Sequence, residues 1–469
     1  DIPSNMGVKT GKFYAEVRID TAYGSPNLKH LGIFATGTRS FRAESGNSHT
    51  INQLDGIMIR SDNAGPYTYT GRGGIASVAV VGADTDVIYT LGDIVGIQLD
   101  MDNKFVKFYI NGVLRVKYTF VLADTFDKMY FFGRNNGSGK TTWNFGQKPY
   151  RYTPPTEFLP LASHNLESSS ILRPQRFFDV LTYSGTGSTQ SITGLEFKPD
   201  LVWIKKRSDS AFHQWFDTVR GATKGLFSNS TNQEYQDSGN LQSFIEGGFT
   251  ADGFNGTNAS GGTYVAWCWK AGGDSNTFNV DGVGYATASA AGITDGSISL
   301  TGASINKTSG FSIFTYTGNG TSGATIGHGL DAVPSVAIFK SRNLGTLGTA
   351  GAHWTVFHQN LTNGMNGGGS ARKVHLSLSQ AEGTNSHGCV TASTSTTMTL
   401  TSGSGNDTDA HVNHTGGNYI CYCWTEIPGF SKFGSYKGNG NANGPFVDCG
   451  FRPSLVIYKR ITNADDWGM

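Results

Sequence analysis

Apolar and polar residues alternate with a period of two over the first third of the chain, which is the pattern of half-buried β-strands. Every second residue of Gly11–Asp20 is apolar, from Phe13 to Ile19. The stretch Leu91–Val113 holds two more such segments, joined by an Asp-Asn turn and ending on an Asn-Gly hairpin signal. Because no helical pattern lies between these strands, the sequence predicts an antiparallel sandwich or barrel over residues 1–158.

Amino-acid composition indicates the same fold class for the whole chain. The 469 residues suffice for two to four domains, and 64 of them are Gly. Only 9 of the 35 acidic residues are Glu, so Asp, which favours turns, dominates over Glu, which favours helices. This balance excludes a helical bundle or a parallel α/β enzyme. Pro154 and Pro155 end the first unit, and residues 159–176 are predicted as a linker.

Charge and cysteine content limit the function classes further. The net charge is +1 and no basic face is suggested, so nucleic-acid binding is not expected. No apolar run approaches the ~18 residues of a membrane span, so membrane insertion is not expected either. Two of the five cysteines share the apolar segment YICYCW, without a zinc-type spacing. We interpret the cysteines as reduced, small apolar residues of a chain made in a reducing cytosol.

The motifs of the first unit resemble those of SPRY-type domains. The matching stretches are GKFYAEV at residues 11–17, Gly32-Ile33, the strand pair within Leu91–Val113, and WNFGQKPYRYTPPTEF at Trp143–Phe158. The resemblance implies a concanavalin-like β-sandwich that binds other proteins or glycans. The ending YTPPTEF is similar to the version of this domain in bacteriophage structural proteins.

An internal repeat follows the first unit. A Tyr-x-Gly sequence, a polar turn, a proline and an apolar strand ending in Lys or Arg occur three times, with Tyr-to-Pro pairs Tyr183/Pro199, Tyr316/Pro334 and Tyr436/Pro453. Such self-similarity indicates duplicated modules. We therefore predict modules over residues 177–272 and 311–428, and the start of a third, incomplete module over residues 429–469.

The repeated strand has a physical interpretation. In the first copy Leu201 and Trp203 alternate with Val202 and Ile204, so both faces are apolar, as in a strand inside a sandwich. The predicted fold is thus all-β, with several sandwich domains of jelly-roll or concanavalin type in tandem. The modules resemble repeated β-domains that follow SPRY-like units in tailed-phage virion proteins, and Asp217–Asn229 matches that pattern closely.

Two segments depart from the regular repeat. Residues 273–310 are rich in Gly, Ser, Ala and Thr and are predicted as a linker, although FNVDGVGY alternates enough to form a hairpin on the next module. The third copy stops shortly after its second strand, and half a sandwich cannot bury its sheet face. We expect either a longer polypeptide or a partner subunit to complete that module.

Residues that could carry chemistry are few. Glycan cleavage needs two carboxylates about one sugar bond, and the scattered Glu residues offer no such pair. Asp217 and Arg220 in DTVRG could hold a carboxylate or a sugar, or could be a turn-stabilising ion pair. The cluster Asp407–His414 could be a cation site or a solvated loop. No catalytic residue, cofactor or metal is predicted.

Aromatic residues provide the remaining ligand candidates. The tryptophans of apolar strands, Trp203, Trp267 and Trp424, are predicted to be core. Three aromatic residues nearer turns could stack on a sugar ring in the manner of a lectin: Trp215, Tyr67 and Tyr69.

The sequence therefore predicts a non-enzymatic virion protein of a tailed phage, as a fibre or spike component made in the host cytoplasm and displayed on the particle. Its expected partners are other virion subunits and a host-surface glycan or protein, with a homotrimer expected by analogy. A purely architectural protein and a virion glycan depolymerase are the alternatives.

Overall fold

The protein is described by a computed structural model. The described residues are 2–3, 7–21, 29–35, 55–60, 67–70, 74–83, 88–123, 126, 128–135, 140–162, 171–343, 353–368, 371–383, 388–402, 412–442, 444–445, 447 and 449–469. The chain forms two compact units, one of Asp1–Ser168 with Ser435–Arg452 and one of Ser169–Gly434 with Pro453–Met469.

The described residues contain no α-helix; Pro174–Arg176 and Gly364–Asn366 form short 3-10 helices. None of the helices in these ranges has the length and apolar character required to cross a membrane. The prediction of an all-β protein with several sandwich domains is confirmed.

The first unit contains two antiparallel sheets. One has the strand order β1-β10-β3-β4-β5 and the other the order β11-β2-β7-β8-β9-β6, with β12 added in parallel to β2. The strands are β1 (Ile2–Pro3), β2 (Lys12–Ile19), β3 (Lys29–Ala35), β4 (Asp55–Arg60), β5 (Tyr67–Tyr69), β6 (Ile75–Ala83), β7 (Ile94–Asp100), β8 (Phe105–Ile110), β9 (Val113–Leu122), β10 (Met129–Asn135), β11 (Thr141–Asn144) and β12 (Leu159–Pro160).

One apolar core draws on both sheets of this unit. Strand β8 shows the underlying alternation, since Val106, Phe108 and Ile110 are buried while the residues between them are partly exposed. Phe131 of the other sheet belongs to the same cluster. The hairpin signal Asn111-Gly112 forms the turn between β8 and β9, as the sequence predicts, with positive φ at both residues.

The second unit begins with a module of two sheets. The larger has the order β13-β21-β15-β16-β17-β18 and the smaller the order β14-β20-β19. The strands are β13 (Phe178–Ser184), β14 (Gln190–Thr193), β15 (Leu201–Lys206), β16 (Gln214–Asp217), β17 (Lys224–Phe227), β18 (Tyr235–Gln236), β19 (Leu241–Ile245), β20 (Gly248–Ala251) and β21 (Thr263–Trp269).

A second module follows with the same plan. Its larger sheet has the order β23-β22-β24-β25-β32-β27-β28-β29 and its smaller sheet the order β26-β31-β30. The strands are β22 (Phe278–Val280), β23 (Val283–Tyr285), β24 (Leu300–Asn306), β25 (Phe311–Thr317), β26 (Ala324–Gly327), β27 (Val336–Ser341), β28 (Thr355–His358), β29 (Val374–His375), β30 (Val390–Ser393), β31 (Thr397–Leu400) and β32 (Asn418–Trp424).

Residues 273–310 contribute structure to the second module. The FNVDGVGY segment forms the hairpin β22–β23, and β24 pairs with both β22 and β25. Ile298, Leu300 and Ile305 are buried in the core of the second module. The segment expected to be chiefly a linker therefore extends the larger sheet.

The repeated Tyr-x-Gly motif forms the same corner in both modules. Tyr183 stacks on Tyr264 and Tyr316 stacks on Tyr419, each pair with ring centroids 5.1 Å apart. The hydroxyls of Tyr183 and Tyr316 donate to the carbonyl oxygens of Thr257 and Val412.

The glycine of the motif is required by close backbone approach. A Cβ on Gly185 would lie 2.2 Å from the oxygen of Ala259, and one on Gly318 would lie 2.3 Å from the oxygen of His414. The third copy has the same glycine, Gly438, but a Cβ there would have no described neighbour within 4 Å.

The C-terminal segment forms a short hairpin, β33 (Tyr458–Lys459) with β34 (Trp467–Gly468). It packs on the second module, where the Trp467 indole donates to the carbonyl oxygen of His375 at 2.9 Å. Val456 and Tyr458 of the repeated strand remain more than half exposed. Residues 453–469 thus contact an existing sheet without forming a third sandwich among the described residues.

The corner predicts how strongly each tyrosine hydroxyl contributes to stability. Tyr183→Phe and Tyr316→Phe should each lower the free energy of unfolding by about 1 kcal/mol, because each leaves a carbonyl without its donor. Tyr436→Phe is the matched control, since Tyr436 is 55% exposed, and should have no effect. Urea unfolding measures all three, and an equal loss in Tyr436→Phe would contradict the assignment.

Candidate functional site

Strand β16 brings two of the predicted site residues to one face. All four of its residues are buried, and side chains alternate between the faces of a strand. Phe216 points into the core of its own module, whereas Trp215 contacts residues of the second module. Asp217 lies on the same face as Trp215, and Arg220 follows in the next turn.

The outer faces of the two larger sheets share one apolar layer, here called the inter-module layer. Trp215 lies at its centre, with its ring centroid 5.0 Å from that of Trp354 and 4.9 Å from that of Tyr422. The buried members of the layer are Leu201, Trp203, Trp215, Leu226, Ala271, Phe311, Ile313, Trp354, Ile420 and Tyr422.

Burial corrects the expectation that Trp215 binds a sugar. Its side chain is fully enclosed by the inter-module layer, and stacking requires an exposed ring face. Trp203 is buried in the same layer, and Trp267 and Trp424 pack against it, in agreement with their predicted core role.

Asp217 and Arg220 form an ion pair inside this layer. The Arg220 Nε lies 2.5 Å from Asp217 Oδ2, and both side chains are 0% exposed. The backbone N–H of Arg220 donates to Asp217 Oδ1 at 2.9 Å. The pair therefore stabilises the turn after β16, which is the second of the two interpretations that the sequence allows for the DTVRG motif. A ligand cannot reach it from solvent.

Tyr422 joins this pair from the second module. Its hydroxyl donates to Asp217 Oδ2 at 2.7 Å. The Arg220 Nη2 donates to the Tyr422 hydroxyl oxygen at 3.4 Å and to the Trp215 carbonyl oxygen at 3.0 Å. Every polar atom of the Asp217 carboxylate thus has a donor, as a buried charge requires.

Glu234 and Arg342 extend the pair into a network of four charges. Arg220 Nη1 lies 3.3 Å from Glu234 Oε2. Arg342, which follows β27 of the second module, donates Nε and Nη2 to the two Glu234 oxygens at 2.8 and 2.9 Å. The backbone N–H of Glu234 donates to the Arg342 carbonyl oxygen at 3.0 Å. Two positive and two negative charges therefore balance between the modules.

The pKa values of this network favour the charged forms. Burial works against the charge of Arg220, but the neighbouring Asp217, Tyr422 and Glu234 raise its pKa further above an already high value. Burial also works against the charge of Glu234, but the hydrogen bond from Arg342 and the charge of Arg220 lower its pKa. Burial raises the pKa of Tyr422, which stays a hydroxyl donor.

Among the described residues the network occurs once, because the repeat has diverged at these positions. In the strand registers, Leu201 pairs with Asp217 in the first module and Val336 pairs with His358 in the second. His358 therefore stands where Asp217 stands in the first copy, in keeping with the absence of an Asp-Thr-x-Arg-Gly motif there. The Trp354 indole adds a further inter-module bond to the Phe227 carbonyl oxygen at 2.7 Å.

Sequence reasoning did not find three members of the network. Tyr422 occupies the repeat position of Trp267, so the replacement of an apolar ring by a hydroxyl-bearing one is the signal that could have indicated it. Glu234 is one of only nine glutamates. Arg342 directly follows the repeated apolar strand, and the sequence indicated it only as part of the repeat pattern.

The other predicted site residues lie elsewhere. Tyr67 and Tyr69 belong to β5, and their side chains lie outside the described residues. Of the segment Asp407–His414, residues up to 411 lie outside the described ranges, and the His414 backbone N–H donates to the Tyr419 hydroxyl. Across the described ranges, no group of three or more metal-ligating side chains is found.

A histidine borders the inter-module layer and provides a pH-sensitive contact. The Trp203 indole donates to His213 Nδ1 at 3.1 Å, which requires that nitrogen to be unprotonated. Burial, reinforced by the charge of Lys205, lowers the pKa of His213 from 6.5 to about 4. The neutral ring is therefore the form that the fold accepts.

Comparison with known proteins places most of the chain in a family. Residues 173–469 match the family described as a domain of unknown function, DUF7483. Because the match covers more than half of the chain, the protein belongs to that family. No curated protein matches the chain.

One solved structure to which the chain shows similarity is a leech intramolecular trans-sialidase complexed with 2,7-anhydro-Neu5Ac. The identity is 10% and the TM-score 0.13, over 88% of this chain and 59% of that one. The chain thus spans less than two thirds of that protein, and a similarity of this size carries no argument about fold or activity.

The charge network predicts a large and specific effect of one substitution. Arg220→Met should destabilise the second unit by about 3 to 5 kcal/mol, because it leaves Asp217 charged, buried and without its cation. Adding Asp217→Asn should recover part of this loss. Arg173→Met, which breaks an ion pair with side chains 59% and 39% exposed, should cost less than about 1 kcal/mol. Urea unfolding distinguishes these cases, and equal losses for Arg220→Met and Arg173→Met would contradict the network.

The His213 contact predicts how stability depends on pH. Since the folded-state pKa is depressed, its contribution is complete above pH 6.5 and is lost as pH falls towards 4. The loss should reach about 2 to 3 kcal/mol, allowing for partial exposure of the ring. His213→Gln keeps an acceptor that does not titrate, so its stability relative to the wild type should rise over this interval. Unfolding titrations from pH 7 to 4 measure the difference, and a constant difference would refute the assignment.

Proposed function

We propose that the protein is a non-enzymatic structural and adhesion component of a tailed-phage virion, as a fibre or spike that presents rigid β-sandwiches to a host-surface glycan or protein. The phage assignment rests on the resemblance of the SPRY-like unit and of the repeated modules. Other virion subunits are the expected structural partners.

The non-catalytic part of the proposal rests on the burial and bonding of the polar cluster around Asp217 and Arg220. Asp217 and Arg220 are completely buried and bonded to Tyr422 and to the turn backbone. Glu234 is held by two arginines. Groups held in this way stabilise a scaffold, and they are neither aimed at a cleft nor open to a substrate.

A rigid double module suits display. The inter-module layer and the charge network hold two sandwiches as one unit, so loops at their ends keep a fixed spacing. Binding residues are commonly found on loops held by a rigid scaffold. Many copies on one particle would convert weak contacts into strong attachment without any turnover.

The proposal predicts binding without chemistry. The purified chain should bind host cells or glycans on an array, and it should release no reducing ends from surface polysaccharide. The double variant Tyr67→Ala/Tyr69→Ala should bind about tenfold more weakly if these rings stack on sugar. Val113→Ala is the control, since Val113 is an exposed apolar residue of the same unit, and should leave binding unchanged.

The outcomes separate the alternatives. Release of reducing ends would overturn the proposal in favour of a depolymerase. Binding to other virion subunits, with silent arrays and no attachment to cells, would favour a purely architectural role. Labelling of intact phage particles with an antibody against the chain tests the virion assignment itself, and unlabelled particles would refute it.

A further inference from the structure

Strand β6, Ile75–Ala83, forms one edge of the larger sheet of the first unit. Its inner side pairs with β9 along almost its whole length. No strand among the described residues pairs with its outer side. In an antiparallel sheet, such an edge presents a row of N–H and C=O groups that can template another strand.

This edge lacks three of the protections that β-proteins use, namely shortness, charge and proline. Natural edge strands are short, charged or interrupted by proline. Strand β6 has nine residues, IASVAVVGA, without a charge or a proline. The other long edge strand, β13, carries Asp179, and the edge strands β1, β18 and β29 have two residues each. Register shifts occur only near its two ends, between Ile75 and Ser77 and between Val81 and Ala83.

The side chains of β6 are exposed on both faces of the sheet. Val80 is 51% exposed and Val81, which points to the opposite face, is 47% exposed. Ala76, Ser77 and Ala79 are exposed as well. Apolar residues on both faces of an unpaired strand are costly in water, and a strand added at the edge would cover part of both rows.

We propose that β6 pairs with β6 of a second copy of this chain, antiparallel about a two-fold axis, so that the two larger sheets become continuous. A two-fold contact brings two copies of the same segment together, so a segment with net charge would repel its own copy across the axis. The segment is uncharged throughout. With the axis at Ala79, Ser77 lies opposite Val81 and Val78 opposite Val80, so no charged or aromatic side chain enters the contact.

This pairing goes beyond the proposed function and differs from the trimer expected by analogy. A two-fold edge contact closes on a pair of chains and yields even-numbered assemblies. Host binding and edge pairing involve different measurements, so either can fail while the other holds.

Sedimentation equilibrium of the full chain tests the proposal. The wild type should show a mass about twice the 50.1 kDa of one chain. Val80→Lys places two like charges near the axis and should weaken self-association by about tenfold or more. Val121→Lys is the matched control, because Val121 is 58% exposed on the neighbouring strand β9 and does not lie at the edge. It should leave the dimer intact.

Variants of opposite charge at position 80 distinguish a loss of self-association from a loss of folding. Val80→Glu alone should also be monomeric. Mixing it with Val80→Lys should restore the dimer mass, since opposite charges would then be diagonal neighbours on the same face, across the axis. A wild-type monomer, an assembly unaffected by Val80→Lys, or equal disruption by Val121→Lys would overturn the proposal.

Discussion

The second unit depends on the burial of both faces of its central strands. Strand β15 sends Val202 and Ile204 into the core of its own sandwich. Leu201 and Trp203 point the other way, and no element of the first module covers them as a second core. A free module would expose this aromatic face to water, at a cost proportional to its apolar area. The two modules are therefore parts of one folding unit, although the sequence presents them as a tandem repeat.

Apolar burial alone does not fix how two such faces meet, because the hydrophobic effect has no direction. Hydrogen bonds supply the direction that is missing. Tyr422 reaches Asp217, and Arg342 holds Glu234 with both of its donor nitrogens. A buried ion pair is weak support for stability but a good determinant of register. The four charges thus select one arrangement of the two aromatic surfaces, whose apolar contacts alone have no preferred direction.

The sequence predicted the local parts of this structure well. The period-two patterns and the Asn111-Gly112 hairpin depend on residues that are close in sequence. The Tyr-x-Gly corner could be predicted because alignment of the repeated copies shows which residues are equivalent. The sequence also indicates Asp217 and Arg220 as a pair, since they are only three positions apart. Tyr422 lies 205 residues from Asp217, and only the packing of one sheet on another brings them together. No local pattern reports that contact, so Trp215 was assigned to a ligand instead of to the inter-module layer.

Divergence of the repeat follows from the same contact. Equivalent strands of both copies supply the inter-module layer, so identical faces would bring like groups near each other. Two Asp-Arg turns would need twice as many buried partners, in a layer that is otherwise apolar. The second copy has His358 in place of Asp217, and burial lowers the pKa of this histidine to about 4, which keeps it neutral. The first copy has Trp267 where the second has the hydroxyl of Tyr422. One copy provides the carboxylate and the other its donor, so the two copies contribute different groups to the contact that joins them.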